Sequence, residues 1–367
     1  MLLEKKAQSE RLLSLDFFRG LTMLLLMIES TELYSFMVSP QLEGTWIYAI
    51  GKNFQHHEWH GLMFWDLIQP FFMFIVGVAM YLSFIHRIEN GDTYNLIRKH
   101  ILIRSLLLLF FGWWLYCISH EGITFYFQNV LAQLSVTTLI AFLIIRKSFI
   151  TQISVSIILL ALSEILYRTF WVDGFNQPFV ADHNFGTWVD TLYSGQDKIG
   201  HWVSFNAITT TAHTIWGVLA GKLLMGPKSK MQKLKILIFA GIAGLIIGYG
   251  LDPVTPIIKR IATSSFVFAS GGWTFLILAF SYWIIDIVKF RRGITLFTVI
   301  GMNSLFIYLF SNVGGNQISR QIVMPLSKLV FGWSGEFNVN IADSLMAACL
   351  MWYLCYWMFK QRIFIKI

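Results

Sequence analysis

Residues 62–84 read LMFWDLIQPFFMFIVGVAMYLSF, a run of apolar side chains with one ionisable group, Asp66. A helix needs about 20 such residues to cross the roughly 30 Å hydrocarbon core of a bilayer. Working outward, comparable runs occupy 17–36, 101–119, 130–145 and 149–167, then 205–225, 234–251, 264–288, 294–313 and 341–359. The 367-residue chain is 56% hydrophobic and 13% charged, with a mean hydropathy of +0.62. Soluble domains carry about 25% charged residues, so most of this surface must face lipid. The predicted fold is all-α: a polytopic integral membrane protein of about ten transmembrane helices forming a single domain over 1–367. The net charge of +8 lies in short loops between apolar runs, which argues for membrane topology and against a nucleic-acid partner.

Basic residues in loops set the orientation. Of the 28 Lys and Arg residues, 21 fall in one alternate set of loops, including Lys5, Lys6, Arg11, Arg87, Lys289 and Arg292. The other set holds seven: Lys52, Arg168, Lys198, Lys259, Arg260, Arg320 and Lys328. Both termini are therefore predicted to be cytoplasmic, with 1–16 an N-terminal segment and 360–367 a tail. The first apolar run lacks a small-residue cleavage site and reads as a retained helix. There is no N-x-[ST] sequon, which favours a bacterial cytoplasmic (inner) membrane. Cys117, Cys349 and Cys355 lie in apolar segments without CxxC spacing and imply neither a disulfide nor zinc. Gly241, Gly244 and Gly248 form a small-residue face for close helix packing. Such a bundle is compatible with a homodimer.

The long outward loops concentrate the polar chemistry. Gln55-His56-His57-Glu58-Trp59-His60-Gly61 places three imidazoles and a carboxylate just before the second apolar run. His57-Glu58-Trp59-His60 is one residue short of H-E-x-x-H, and the i, i+4 pair His56 and His60 lacks an evident third ligand, so no metal site is expected. These residues read either as interfacial anchors of a helix end or as a general base. Asp66 and Glu29 are carboxylates within apolar runs, where an ionisable group is costly and marks a functional site by default. Pro70 predicts a kink beside them. Asp16 and Arg19 read as a local ion pair, with Arg19 also available to phosphates. His213 reads as a hydrogen-bonded core residue.

The segments Arg11-Leu12-Leu13-Ser14-Leu15-Asp16-Phe17-Phe18-Arg19-Gly20 and His56 to Gly77 resemble the heparan-α-glucosaminide N-acetyltransferase family. Similarity continues in order through Arg104-Ser105, Leu131-Ala132-Gln133, Gly217 to Lys222, Pro256 to Lys259, Gly301-Met302-Asn303-Ser304 and Ile363 to Ile367. The short chain looks most like the bacterial NagX-type members. The resemblance implies acetyl transfer from cytoplasmic acetyl-CoA to an amino sugar or glycan acceptor beyond the membrane. It maps the catalytic histidine to His56, the intramembrane aspartate to Asp66 and the arginine opening the third span to Arg104. Ser30 stands where members usually carry Asn, and Glu29 precedes it, which leaves the acceptor open.

On this reading His56 and Asp66 are catalytic, and Glu29, Ser30, Glu58, Trp59 and His60 surround the acceptor. Arg19, Arg104 and Lys222 receive the coenzyme A phosphates, while Asn303 bonds the pantetheine amides. His56 either deprotonates the acceptor or takes the acetyl group itself. An amino-sugar transporter is the alternative, since Pro70 and the interrupted ninth run could supply the broken helices of a midplane site, although no internal repeat is evident. Membrane acyltransferases of surface glycans share a D-x-x-R-G entry but match the later motifs less well. A non-enzymatic scaffold leaves the clustered His, Glu and Asp residues without a role.

Overall fold

A computed structural model of the chain describes residues 12–195, 200–365 and 367. Lys5, Lys6, Arg11, Lys198 and Lys366, used above for orientation and motif, lie outside the described residues. The order is α1 (Leu13–Ser30), α2 (Leu33–Met37), α3 (Trp46–Asn53), a 3₁₀ turn at Phe64–Leu67, α4 (Ile68–Glu89), α5 (Tyr94–Ser119), α6 (Val130–Leu143), α7 (Phe149–Thr169) and α8 (Phe185–Ser194). Then come α9 (Asn206–Met225), α10 (Lys230–Leu251), α11 (Ser264–Tyr282) with a π turn at Trp283–Ile287, α12 (Ile294–Met302) and α13 (Ser304–Phe310). A second π turn, Ser311–Gly315, leads to α14 (Asn316–Phe331) and α15 (Glu336–Lys360). No strand forms among the described residues.

Side chains set several helix starts. Thr93, Asn129 and Ser148 accept the free N–H groups of Leu96, Ala132 and Thr151. Ser229 and Gln232 cap each other at the start of α10. Every predicted apolar run is largely helical, the run 17–36 breaking between α1 and α2, but among the described residues length and apolarity qualify six helices as membrane crossings, or seven if the broken α12 and its continuation are one span. The difference from ten has a physical cause. α1 carries Asp16, Arg19 and Glu29, α6 has only 14 residues, and α9 is rich in threonine. Nearly all of α9 is buried within protein. A helix enclosed by protein can be polar, whereas one facing lipid cannot. The apolar α7 and α10 are the least enclosed, with Ile158, Ile165, Phe239 and Ile246 turned outward. The chain is an all-α, multi-pass membrane protein.

The core pairs are α4 with α9, α10 with α11, α5 with α6, α1 with α12 and α14 with α15. α4 and α9 meet backbone to backbone. A Cβ on Gly77 would lie 2.1 Å from the Thr214 carbonyl oxygen, and one on Gly217 would lie 2.1 Å from that of Phe74. The predicted face of Gly241, Gly244 and Gly248 packs on α11, against Leu276, Gly272 and Ala269.

Two expectations change. Pro70 does not kink a helix, because it stands in the first turn of α4, where its missing N–H breaks no ladder bond. The true break is at Asn303, where the axis turns 73° between Ile294–Met302 and the stretch Ser304–Ser334. Asn303 is fully buried there. Its Nδ2 donates to the Ile363 carbonyl at 3.1 Å, and its Oδ1 accepts from Ile365 N–H at 3.1 Å. The chain segment after α15 is thereby drawn back into the bundle.

Candidate active site

His56 lies in the loop between α3 and the 3₁₀ turn that carries Asp66. Its Nδ1 is 3.0 Å from Asp66 Oδ1. Asp66 is almost fully buried, and its Oδ2 accepts from the N–H groups of Met63 at 2.9 Å and His57 at 3.3 Å. The carboxylate therefore fixes both its own turn and the loop that presents His56. A second loop, between α10 and α11, closes over them. Gly61 N–H donates to the Ile257 carbonyl at 2.9 Å, and Asp252 accepts from Ile257 N–H at 2.8 Å while pairing with His60 at 2.8 Å. That loop delivers Lys259, whose Nζ is 3.4 Å from Asp66 Oδ1 and 3.1 Å from His56 Nδ1.

Both Lys259 and Asp66 are buried, and breaking such a pair usually costs about 3–5 kcal/mol. Burial lowers the Lys259 ammonium to about 8, with Asp66 opposing the shift, so it remains largely cationic at neutral pH. Burial also lowers His56 below its usual 6.5. The Lys259 charge acts in the same direction, and Asp66 acts against both. A neutral imidazole is the result. Asp66, as the stronger acceptor, favours a proton on Nδ1, and Nε2 is then the free base. Trp202 completes the group, with its ring edge-on to His56 at 5.7 Å and under the Lys259 ammonium at 5.3 Å.

His56, Lys259 and Trp202 line a cavity of about 260 Å³. Glu29 and Trp65 lie on the same wall, and four carboxamides, Gln69, Gln128, Asn129 and Gln133, contribute another. Gln69 bonds to Gln133, Gln133 to Asn206 at 2.7 Å, and Gln128 to Asp190 at 3.0 Å, so the amides are held in register. A second cavity of about 460 Å³ contains Arg19 and Arg104 and shares Phe72, Val130 and Tyr308 with the first. α5 runs from Arg104 in one cavity to Tyr116 in the other, and α1 from Arg19 to Glu29. Ten to twelve helical residues separate the two ends by about 15–18 Å. Arg104 Nε is buried without a hydrogen-bond partner, and Arg19 is 4.0 Å from Asp16.

The remaining sequence candidates divide. Glu29 and Ser30 reach cavities at the end of α1. His60 is exposed and held by Asp252; Trp59 donates to the Phe179 carbonyl at 2.7 Å and anchors a neighbouring loop; Glu58 is exposed. None of the three lines the His56 cavity. His56 and His60 share no helix face, because the segment is a loop. Lys222 is not among the residues lining the Arg104 cavity; it donates to the Lys147 carbonyl at 2.9 Å. Asn303 has spent its amide on the segment after α15, and its neighbours Met302 and Ser304 line that cavity instead. His213 is buried, with Nε2 3.0 Å from the Val267 carbonyl and from Ser270 Oγ.

Lys259, Trp202 and the carboxamide wall were not singled out from the sequence as site residues. Lys259 did leave a signal. It is one of only seven basic residues in the charge-poor loops, where an unneeded cation is least expected.

No family model matches the chain. It is 23% identical to human heparan-alpha-glucosaminide N-acetyltransferase over 97% of its own length and 60% of that protein. The mouse protein of the same name is 29% identical over 29% of this chain and 14% of its own length. The chain thus spans less than two thirds of the curated relatives it matches.

Proposed function

We propose that the chain is a member of the heparan-alpha-glucosaminide N-acetyltransferase family and transfers an acetyl group from acetyl-CoA to an amino sugar or glycan amine across a bacterial inner membrane. The observation that carries this reading is the pairing of a neutral, Asp66-oriented imidazole in one of two adjoining cavities with a half-buried arginine in the other.

The lower cavity suits a polyanion with an uncharged arm. Arg19 and the unsatisfied Nε of Arg104 would hold phosphate, and the apolar walls of Ile75, Val76 and Leu108 would take the arm. Bound acetyl-CoA supplies the thioester. The protein does the rest with its own groups. His56 Nε2 removes the proton from the acceptor amine as its nitrogen bonds to the acetyl carbon; the C–S bond then breaks, and the imidazolium returns its proton to the departing coenzyme A thiolate. Asp66 keeps the ring in the right tautomer and steadies the imidazolium that forms. Lys259 holds Asp66 in place and keeps His56 neutral between turnovers. Trp202 walls one side of the group and leaves the exposed edge of His56 open to the acceptor.

The test is acetyl transfer by the full chain in detergent or vesicles. Removing a general base costs 10²–10⁴-fold, so His56→Ala should lose at least about a hundredfold while still binding coenzyme A. Full transfer by that variant would overturn the assignment. The break at Asn303 favours a second reading, an amino-sugar transporter, because broken helices are common at transporter midplanes. Sugar flux in vesicles without acetyl-CoA would support that reading; acetyl transfer without net sugar flux would reject it.

A further inference from the structure

Gln69 stands between the base and the cavity that would hold coenzyme A. The 3₁₀ turn and α4 run on as one helix, Phe64–Glu89. Asp66, Gln69 and Phe72 follow one another in it at three-residue steps, so they are neighbours along one side. Asp66 holds His56 at 3.0 Å, Phe72 belongs to the wall that both cavities share, and Gln69 lines the His56 chamber between them. About 4.5 Å of helix axis separates Gln69 from Phe72. A thioester entering past Phe72 on its way to His56 therefore meets the Gln69 amide.

The direction of that amide is set by backbone carbonyls, which only accept. Asn206 Nδ2 donates to the Arg260 carbonyl at 3.3 Å, so its Oδ1 is the atom that receives Gln133 Nε2, at 2.7 Å. Gln133 turns its other N–H to the Gln128 carbonyl at 3.4 Å. With both N–H groups spent, Gln133 offers Oε1 to Gln69, whose Nε2 donates to it. Turning any one of the three amides would set oxygen against oxygen. Gln69 retains one N–H, on a pinned nitrogen, and its Oε1. Gln128 and Asn129 also keep one N–H each, but they belong to the entry of α6 and not to the helix that holds the base. The Tyr116 and Tyr308 hydroxyls of the chamber rotate and accept as readily as they donate.

We infer that the remaining N–H of Gln69 donates to the thioester carbonyl oxygen and holds the negative charge that gathers there during transfer. The inference rests on the acetyltransferase reading and adds to it the group that bears the developing charge. As the acceptor nitrogen bonds to the acetyl carbon, the carbonyl π pair moves onto oxygen, where the Gln69 N–H stabilises it. The pair returns to form the amide carbonyl as the C–S bond breaks and the thiolate leaves; the proton stays with His56 throughout. A donor fixed before the reaction needs no reorganisation when the charge appears, which is what makes such a group effective. The row of amides from Arg260 to Gln69 supplies that fixity, and it starts on the residue next to Lys259.

The experiment uses the full chain in detergent. Gln69→Met keeps the length of the side chain without its N–H. Loss of one such donor costs about 10²–10³-fold in kcat, so the variant should lose about a hundredfold or more. Coenzyme A affinity and the acceptor KM should stay as in wild type, the mark of an interaction made in the transition state. Infrared spectra of bound acetyl-CoA, its carbonyl carbon labelled with a heavy isotope and no acceptor present, give the second readout. The stretch should lie below its solution value in wild-type protein and return toward that value in Gln69→Met; a residue that only supports the fold would not move it. Should Gln69→Met fail to fold, seen as lost coenzyme A binding, Gln69→Glu and the wild-type band decide, since the glutamate keeps the shape of the amide and lacks its N–H. The inference is overturned if the wild-type band is unshifted, or if a folded Gln69 variant keeps either the shift or the wild-type kcat. Wild-type protein that binds no acetyl-CoA would instead reject the acetyltransferase reading, and binding is measured before any carbonyl band is read.

Discussion

Lys259 holds the His56 imidazole neutral through charge as well as position. Both nitrogen atoms lie near Asp66, and the ammonium adds to the burial that lowers His56 below 6.5. A base with a lowered pKa is competent above that value and fails as pH falls through it, so the acidic limb of the transfer rate should lie below pH 6.5. Replacing Lys259 with methionine removes a positive neighbour, raises the His56 pKa and should move that limb upward. A pH profile of kcat/KM measures the shift, and a purely structural lysine would lower the rate without moving the limb. At the other end, Arg104→Ala should weaken coenzyme A binding about tenfold or more while leaving the acceptor KM unchanged. Titration with coenzyme A and initial rates at varied acceptor separate the two. His56 and Asp66 were legible because histidines clustered before an apolar run and a carboxylate within it are conspicuous in one dimension. Lys259 was not, since it meets them from a loop some two hundred residues away. Glu58, Trp59 and His60 were grouped with His56 by adjacency in sequence, but a loop, unlike a helix, gives neighbours no common face.

Helix packing makes its own demands. Gly217 allows α9 to touch the backbone of α4, and even Gly217→Ala puts a methyl carbon 2.1 Å from the Phe74 carbonyl oxygen. Relief requires the two helices to part, which should cost about 1–3 kcal/mol or more and lower the unfolding temperature in detergent. Gly250→Ala is the control, because nothing lies within 4 Å of the added carbon; it should leave the transition where it is. Asn303→Leu would unpair the Ile363 carbonyl and the Ile365 N–H, at about 1–3 kcal/mol for each buried group left unsatisfied. Thermal unfolding again gives the measure. Apolar runs reported the long helices except α14, whose 16 residues follow the run at 294–313 in a stretch read as an outward loop, because hydropathy in lipid is a local property of the chain. The number of crossings was harder to read. α6 and α9 are apolar enough to be noticed, yet their length and threonine content make sense only once the helices that enclose them are known. Pro70 shows the same limit, since its effect depends on whether a helix has already begun, which only the fold decides.

At the scale of the molecule, the residues of the two cavities gather at opposite ends of one bundle. His56, Asp66 and Lys259 come from loops at one end, whereas Arg19, Arg104 and the residues after α15 gather at the other. The excess of basic residues in alternate loops predicts that the Arg104 end faces the cytoplasm. In a cysteine-free background, Lys289→Cys should react with an impermeant maleimide only from the cytoplasmic side and Lys52→Cys only from the outer side; both positions are exposed. Reversed labelling would invert the proposed direction of transfer. The wall of Phe72, Val130 and Tyr308 that the two cavities share has an electrical consequence. A membrane that holds an ion gradient cannot tolerate a wet conduit, and two aromatic rings and an isopropyl group offer an ion almost nothing in exchange for its hydration shell. A slender uncharged arm can pass where a hydronium ion cannot, so the proposed transfer would draw on both compartments while the membrane stays an insulator.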